Sequence, residues 1–156
     1  MPSTYIVERS TTISSSPHSV YEQIADFRQW PGWSPWEGLD PQMHRVYTGA
    51  DSGVGASYAW SGNKKAGSGS MVIVEAEEPS KVRIDLVFEK PFPASNDTWF
   101  TIMPDGAGSR VTWTLTGVLT RGLKLMGVFR SMDTMIGPDF DKGLAQLKEL
   151  LEIRVS

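Results

Sequence analysis

Apolar and polar residues follow three regimes along the chain. Residues 5–14 carry Ile6, Val7, Thr11, Thr12 and Ile13, β-branched residues that predict a strand. Ser14-Ser15-Ser16-Pro17 then marks a helix start, with Ser16 as N-cap and Pro17 at the first helical position. Val20, Tyr21, Ile24 and Ala25 give that helix an apolar face, and it should end before Trp30-Pro31.

From about residue 40 the period becomes two. Met43, Arg45 and Tyr47 alternate with His44 and Val46. Ala56, Tyr58 and Trp60 share one face, and Met71 and Ile73 precede Glu75. Val82, Ile84, Leu86 and Phe88 alternate with Arg83, Asp85, Val87 and Glu89. Phe100 and Ile102 oppose Trp99, Thr101 and Met103, while Val111, Trp113 and Leu115 oppose three threonines. Turn signals at Asp51-Ser52-Gly53, Gly62-Asn63, Glu78-Pro79-Ser80 and Asp105-Gly106-Ala107-Gly108 separate these runs. Such connections are too short for parallel crossovers, so the sheet is antiparallel, with one face on a core and the other in water.

The third regime is helical. Ile136, Phe140, Leu144, Leu147 and Leu151 fall within an arc of about 80°. A lead-in helix over residues 122–135 presents Leu123, Met126, Phe129 and Met132, and Pro138 should kink or restart the helix near Gly137. Gly143 sits mid-helix, which costs about 1 kcal/mol relative to alanine. Either the helix approaches the sheet closely there or it bends. One N-terminal strand, a helix, six further strands and a long C-terminal helix make an α+β domain. Seven antiparallel strands tend to twist and curl, and the C-terminal stripe is the element long enough to fill the hollow.

Composition narrows the chemistry. A length of 156 residues points to a single domain, residues 1–156. The absence of cysteine excludes disulfides, thiol nucleophiles and sulfur-ligated zinc, and two histidines cannot build a three-histidine metal site. A carboxylate-rich metal site stays open on composition alone; no residues point to one, and no cofactor is implied. Fifteen basic against eighteen acidic residues, without a basic tract, argue against nucleic acid as a partner. No signal-peptide pattern and no apolar run of about 18 residues appear, so a cytoplasmic protein without integral membrane association is expected. The sequon Asn96-Asp97-Thr98 then reads as chance.

Several segments resemble a known family. Trp33-Ser34-Pro35-Trp36 with Asp40-Pro41, Gly53-Val54-Gly55-Ala56, Trp60-Ser61-Gly62-Asn63 and Arg110-Val111-Thr112-Trp113 contribute. The most specific run is Met135-Ile136-Gly137-Pro138-Asp139-Phe140-Asp141-Lys142-Gly143-Leu144. Together they resemble the START-like helix-grip (SRPBCC) superfamily, in its polyketide cyclase/dehydrase and lipid-transport branch. The resemblance implies a helix-grip fold: a curved seven-stranded antiparallel sheet around a long C-terminal helix, two short N-terminal helices and an intervening cavity. A fold of this kind does not by itself certify catalysis.

Candidate ligand contacts follow. Trp30, Trp33 and Trp36 recur every third residue and align on a three-residue-per-turn path. In the helix-grip arrangement they lie near the cavity mouth, as an aromatic gate or as a plug closing the core. Tyr47, Tyr58, Trp60, Phe88, Phe100 and Trp113 from strands, with Met126, Phe129, Met132 and Met135 from the C-terminal region, would line a pocket or fill a core. Tyr47, Tyr58 and Asn63 would orient a ligand. The leading expectation is binding of a small hydrophobic ligand, aromatic, acyl or polyketide-like. One alternative is a cyclase/dehydrase-type enzyme using a carboxylate (Glu37, Asp40, Glu75 or Asp133) or a tyrosine. Another is a protein-interaction module with a filled core, and an oligomer stays open. His18 and His44 are expected to be exposed, and no residue stands out as catalytic.

Overall fold

The computed structural model describes residues 3–36, 42–64, 67–90, 94–119 and 128–155. In chain order the elements are β1 (Ser3–Ile13), α1 (Pro17–Ala25), a 3₁₀ helix (Phe27–Gly32) and β2 (His44–Gly49). There follow β3 (Ala56–Ser61), β4 (Ser68–Glu77), β5 (Lys81–Lys90), β6 (Ala94–Asp105), β7 (Gly108–Leu119) and α2 (Val128–Val155). The strands form one curved antiparallel sheet in the order β1-β7-β6-β5-β4-β3-β2. Consecutive strands are hairpin neighbours from β2 to β7, and β1 closes on β7 after the N-terminal helices intervene.

Alternation decides which side of the sheet is dry. Val82, Ile84, Phe100, Ile102, Val111 and Trp113 are at most 1% exposed, whereas Val87 and Met103, one position out of phase, are 38% and 62% exposed. The α2 stripe answers from the other side: Phe140, Leu144, Leu147 and Leu151 are buried. Ser16 caps α1 by accepting from the Ser19 amide at 3.2 Å, and Pro17 opens the helix.

The second half of α2 is tied to β1 by polar contacts. Arg9 Nε donates to Asp141 at 3.3 Å, and Lys148 Nζ donates to the Thr12 carbonyl at 2.7 Å. The Ser14 amide donates to Glu152 at 2.9 Å. The Glu152 carboxyl is held below its ordinary range, chiefly by hydrogen bonds from Lys148 and from the Ser14 backbone.

Of the kink or restart expected near Gly137, the restart does not occur: Val128–Val155 is one helix with the proline inside it. Pro138 and Thr134 both lie on the exposed side, so the carbonyl that loses its amide partner can turn to water. Glu75 does not share a face with Met71 and Ile73. A register shift between Ile73 and Glu75 pairs it with Arg83 and turns it to the outer face.

Candidate functional site

The inner face of the sheet has a closed end and an open end. The closed end starts with α1, whose last carbonyls have no following helical turn to satisfy them. Two indoles do so. Trp30 Nε1 donates to the Ile24 carbonyl at 2.9 Å, and Trp33 Nε1 donates to the Gln23 carbonyl at 3.2 Å. Both rings are thereby drawn inward, to 4% and 1% exposure. Their centroids are 4.6 Å apart, and both meet Phe100 edge-on at 5.9 Å.

Trp113 continues the stack. It stacks on Phe100 at 4.6 Å, 26° from parallel, and on Phe140 of α2 at 3.9 Å, with 5° between the latter planes. Its Nε1 donates to Thr98 Oγ1 at 2.9 Å, and that hydroxyl donates to the Thr114 carbonyl at 2.8 Å. The tight approach of α2 depends on Gly143. A Cβ there would stand 2.8 Å from Pro35 Cδ and 3.0 Å from Trp113 Cζ3. Close approach is therefore the reason for the mid-helix glycine. Gln146 Nε2, one turn on, donates to the Trp33 carbonyl at 2.8 Å. Trp30 and Trp33 thus have the geometry of a plug. Trp36, half-buried, sits at its edge against Trp113 at 5.6 Å.

The open end is a row of half-buried rings on β2 to β5. Tyr47 and Tyr58 are 5.1 Å apart, and Tyr58 and Trp60 are 5.9 Å apart and 19° from parallel. Trp60 and Phe88 meet edge-on at 5.9 Å. Register explains the grouping. Arg45, Trp60, Gly69 and Phe88 are successive cross-strand partners, so their positions share one face. The Trp60 ring lies over Gly69, where a Cβ would come within 2.7 Å of it. Arg28 covers the outer side of the row, its guanidinium 5.2 Å from the Tyr47 centroid.

The neighbouring row carries a polar pair that sequence reading missed. Tyr58, Met71, Leu86, Asn96, Gly117 and Tyr5 are successive partners from β3 to β1. Tyr5 Oη donates to Asn96 Oδ1 at 2.8 Å, across Gly117. A Cβ at Gly117 would come within 2.4 Å of the Tyr5 phenol and 2.5 Å of Asn96 Oδ1, so the pair can form only over glycine. Burial raises the Tyr5 phenol above its ordinary range and keeps it protonated. The available signal was the period-two pattern of β6, carried back from Phe100 through Thr98 to Asn96.

Of the expected contacts, Tyr47, Tyr58, Trp60 and Phe88 gather at the open end, and Trp30, Trp33, Phe100 and Trp113 in the closed stack. Met126 lies outside the described residues, as do the side chains of Phe129, Met132 and Met135. Asn63 is exposed in the β3–β4 turn and does not join the inner face. His18 is exposed between Glu22 and Glu78, and His44 is exposed on β2. Glu75 belongs to an outer-face ion cluster with Lys81 and Arg83, the latter also paired with Asp97 at 2.7 Å. The other three candidate carboxylates, at Glu37, Asp40 and Asp133, lie outside the described residues or side chains. The surface depressions among the described residues include two that touch these elements. One, of about 370 Å³, is on α2 at Ala145, Lys148, Glu149, Glu152 and Ile153. The other, of about 280 Å³, is lined by Asp85, Leu86, Val87, Ser95, Asn96 and Asp97. Among the described residues, no group of three metal-ligating side chains occurs and no helix is long and apolar enough to cross a membrane.

Comparison with solved structures supports the architecture. A Staphylococcus aureus protein of unknown function, SA2116, matches with a TM-score of 0.74 at 10% identity, over 99% of this chain and 97% of its own. A Thermobifida fusca protein matches at 0.69 and 20% identity, over 94% and 92% of the two chains. DynU16, a putative protein in the dynemicin biosynthetic locus, matches at 0.62 and 14% identity, over 94% of this chain and 47% of its own. No curated protein matches the chain in sequence. The family model for polyketide cyclase/dehydrase and lipid transport matches residues 4–152. With seven curved strands gripping a C-terminal helix and a family match along nearly its whole length, the chain belongs to the polyketide cyclase/dehydrase and lipid-transport family, within the START-like helix-grip superfamily.

Proposed function

We propose that the chain, as a single helix-grip domain, binds a small flat hydrophobic ligand at the open end of its inner face. The observation that carries this is the half-buried row Tyr47, Tyr58, Trp60 and Phe88. Large rings elsewhere on this face are sealed by α2 and by the indole plug. These four keep part of their area available, and stacking on them favours an aromatic or polyketide-like body. Burying such a ligand contributes about 25 cal/mol per Å² of apolar area, before ordering costs. The family name supports the same reading.

Native mass spectrometry of the purified protein, together with titration of naphthalene-based fluorophores, tests this. The expected result is a co-purified small molecule or saturable fluorophore binding that Trp60→Ala weakens. Absence of both an adduct and fluorophore binding overturns the reading.

A further inference from the structure

We infer that Arg45 is an anion-recognising residue, so that the ligand of the open end is a flat aromatic anion, a carboxylate, and not a neutral arene. This rests on the binding reading above and adds a charge to it. Across β2 to β5 the charged residues are sorted by face. Glu75 and Asp85 lie on the outer face, where Lys81 and Arg83 stand beside Glu75. On the inner-facing positions of these strands the described residues are glycine, apolar or aromatic, with Arg45 the one charge among them. The chain as a whole carries −3, so an anion is drawn to this end by local charge and not by the net field.

The position of Arg45 suits a planar acid. It is half-buried, with its Nε shielded from water, and it stands directly across from Trp60 on β3. Residues facing each other in this way have Cβ atoms about 5 Å apart. The Trp60 ring leans over Gly69 toward Phe88, on the side of β3 away from Arg45. A flat ligand on Tyr58 and Trp60 therefore has its β2-facing edge beside a guanidinium. That group presents its N–H donors in a planar fork, which a carboxylate meets with two parallel, charge-assisted hydrogen bonds. A carboxamide of the same shape offers one oxygen and no charge. Partial burial strengthens the charged pair, because less water screens it. Arg28 is the contrasting cation. It is exposed, 5.2 Å from the Tyr47 centroid, and already 3.7 Å from Asp51.

The test compares 2-naphthoate, ionised at about pH 7, with 2-naphthamide, a neutral molecule of the same shape. Affinities are measured by calorimetry for the wild type, Arg45→Gln, Arg45→Lys and Arg28→Gln. The wild type should bind the acid about tenfold more tightly than the amide, and Arg45→Gln should abolish that preference. Arg45→Lys, which keeps the charge and loses the fork, should lower it about threefold, and guards against misfolding in the glutamine variant. Arg28→Gln should change it less than about twofold. A wild type without preference for the acid, or a preference that survives Arg45→Gln or falls equally in Arg28→Gln, overturns the anion assignment alone. Failure of both probes to bind the wild type overturns the binding reading and this assignment with it.

Discussion

The two ends of the inner face cover the same kinds of side chain to different depths. At the closed end Trp33, Phe100, Trp113 and Phe140 are at most 1% exposed, every indole N–H has a partner, and Gly143 lets α2 touch the stack. At the open end Tyr58, Trp60 and Phe88 sit in an equally regular row and remain half-buried. Aromatic content therefore does not distinguish a sealed core from a partly exposed face. The difference among the described residues lies in what stands opposite: α2 lies against one group, while β2 and Arg28 edge the other.

Substitutions should separate the ends in order of size. Trp113→Ala removes the ring shared by Phe100, Trp33 and Phe140, and should cost about 3–5 kcal/mol in urea unfolding. A loss under about 1 kcal/mol would mean the stack is not the core. Gly143→Ala is a sharper probe, because alanine favours helix by about 1 kcal/mol while overpacking costs about 1–3. A net destabilisation of about 1 kcal/mol is expected from the same denaturation curves, and a stabilised variant would deny the close approach. Trp60→Ala should cost about 1 kcal/mol or less in stability, yet weaken fluorophore binding about tenfold. If it unfolds the protein instead, the open end is core after all.

The smallest effects are those of pH. The Tyr5 phenol is raised by burial, and Tyr21 is raised by burial and by Glu78. A raised acid binds its proton more tightly in the folded state. Its stabilisation is complete below the unfolded value near 10 and is lost as pH climbs through the folded one. Tyr5→Phe should flatten the alkaline fall of the melting temperature, as followed by circular dichroism. Glu152 has the opposite sign. Its lowered carboxyl contributes stability above the unfolded value, and this is lost as pH falls through the folded one. Glu152→Gln should reduce the acid sensitivity of the α2–β1 contact.

Which residues face inward was legible in the sequence, for a physical reason, whereas which of them are sealed was not. Period two in β5 and β7 and the 3.6-residue stripe in α2 are properties of single elements, so Val82, Trp113, Phe140 and Leu147 identify themselves. The Trp30–Trp33 spacing likewise specified a one-sided path of three residues per turn, with 3₁₀ and polyproline geometries both open. What stayed hidden depends on register between distant strands. Tyr5 and Asn96 are 91 residues apart and meet only because β1, β7 and β6 pair with Gly117 between them. One extra residue after Ile73 reverses Glu75, and alternation alone cannot foresee such a bulge. The choice between kink and restart at Pro138 stayed open for a related reason: its cost depends on whether the freed carbonyl faces solvent, which the pattern does not state.

The unequal covering of the indoles has an optical consequence. Trp30, Trp33 and Trp113 form a mutually coupled interior group, within 6.1 Å of one another, where transition dipoles interact and near-ultraviolet circular dichroism should be strong. Trp60 and Trp99 are half-exposed and should emit at longer wavelength, within reach of iodide. The protein thus carries two intrinsic reporters in one spectrum: its dichroism follows the integrity of the fold, and the Trp60 share of its red-edge emission follows the occupancy of the open end, with Trp99 on the outer face as a constant background.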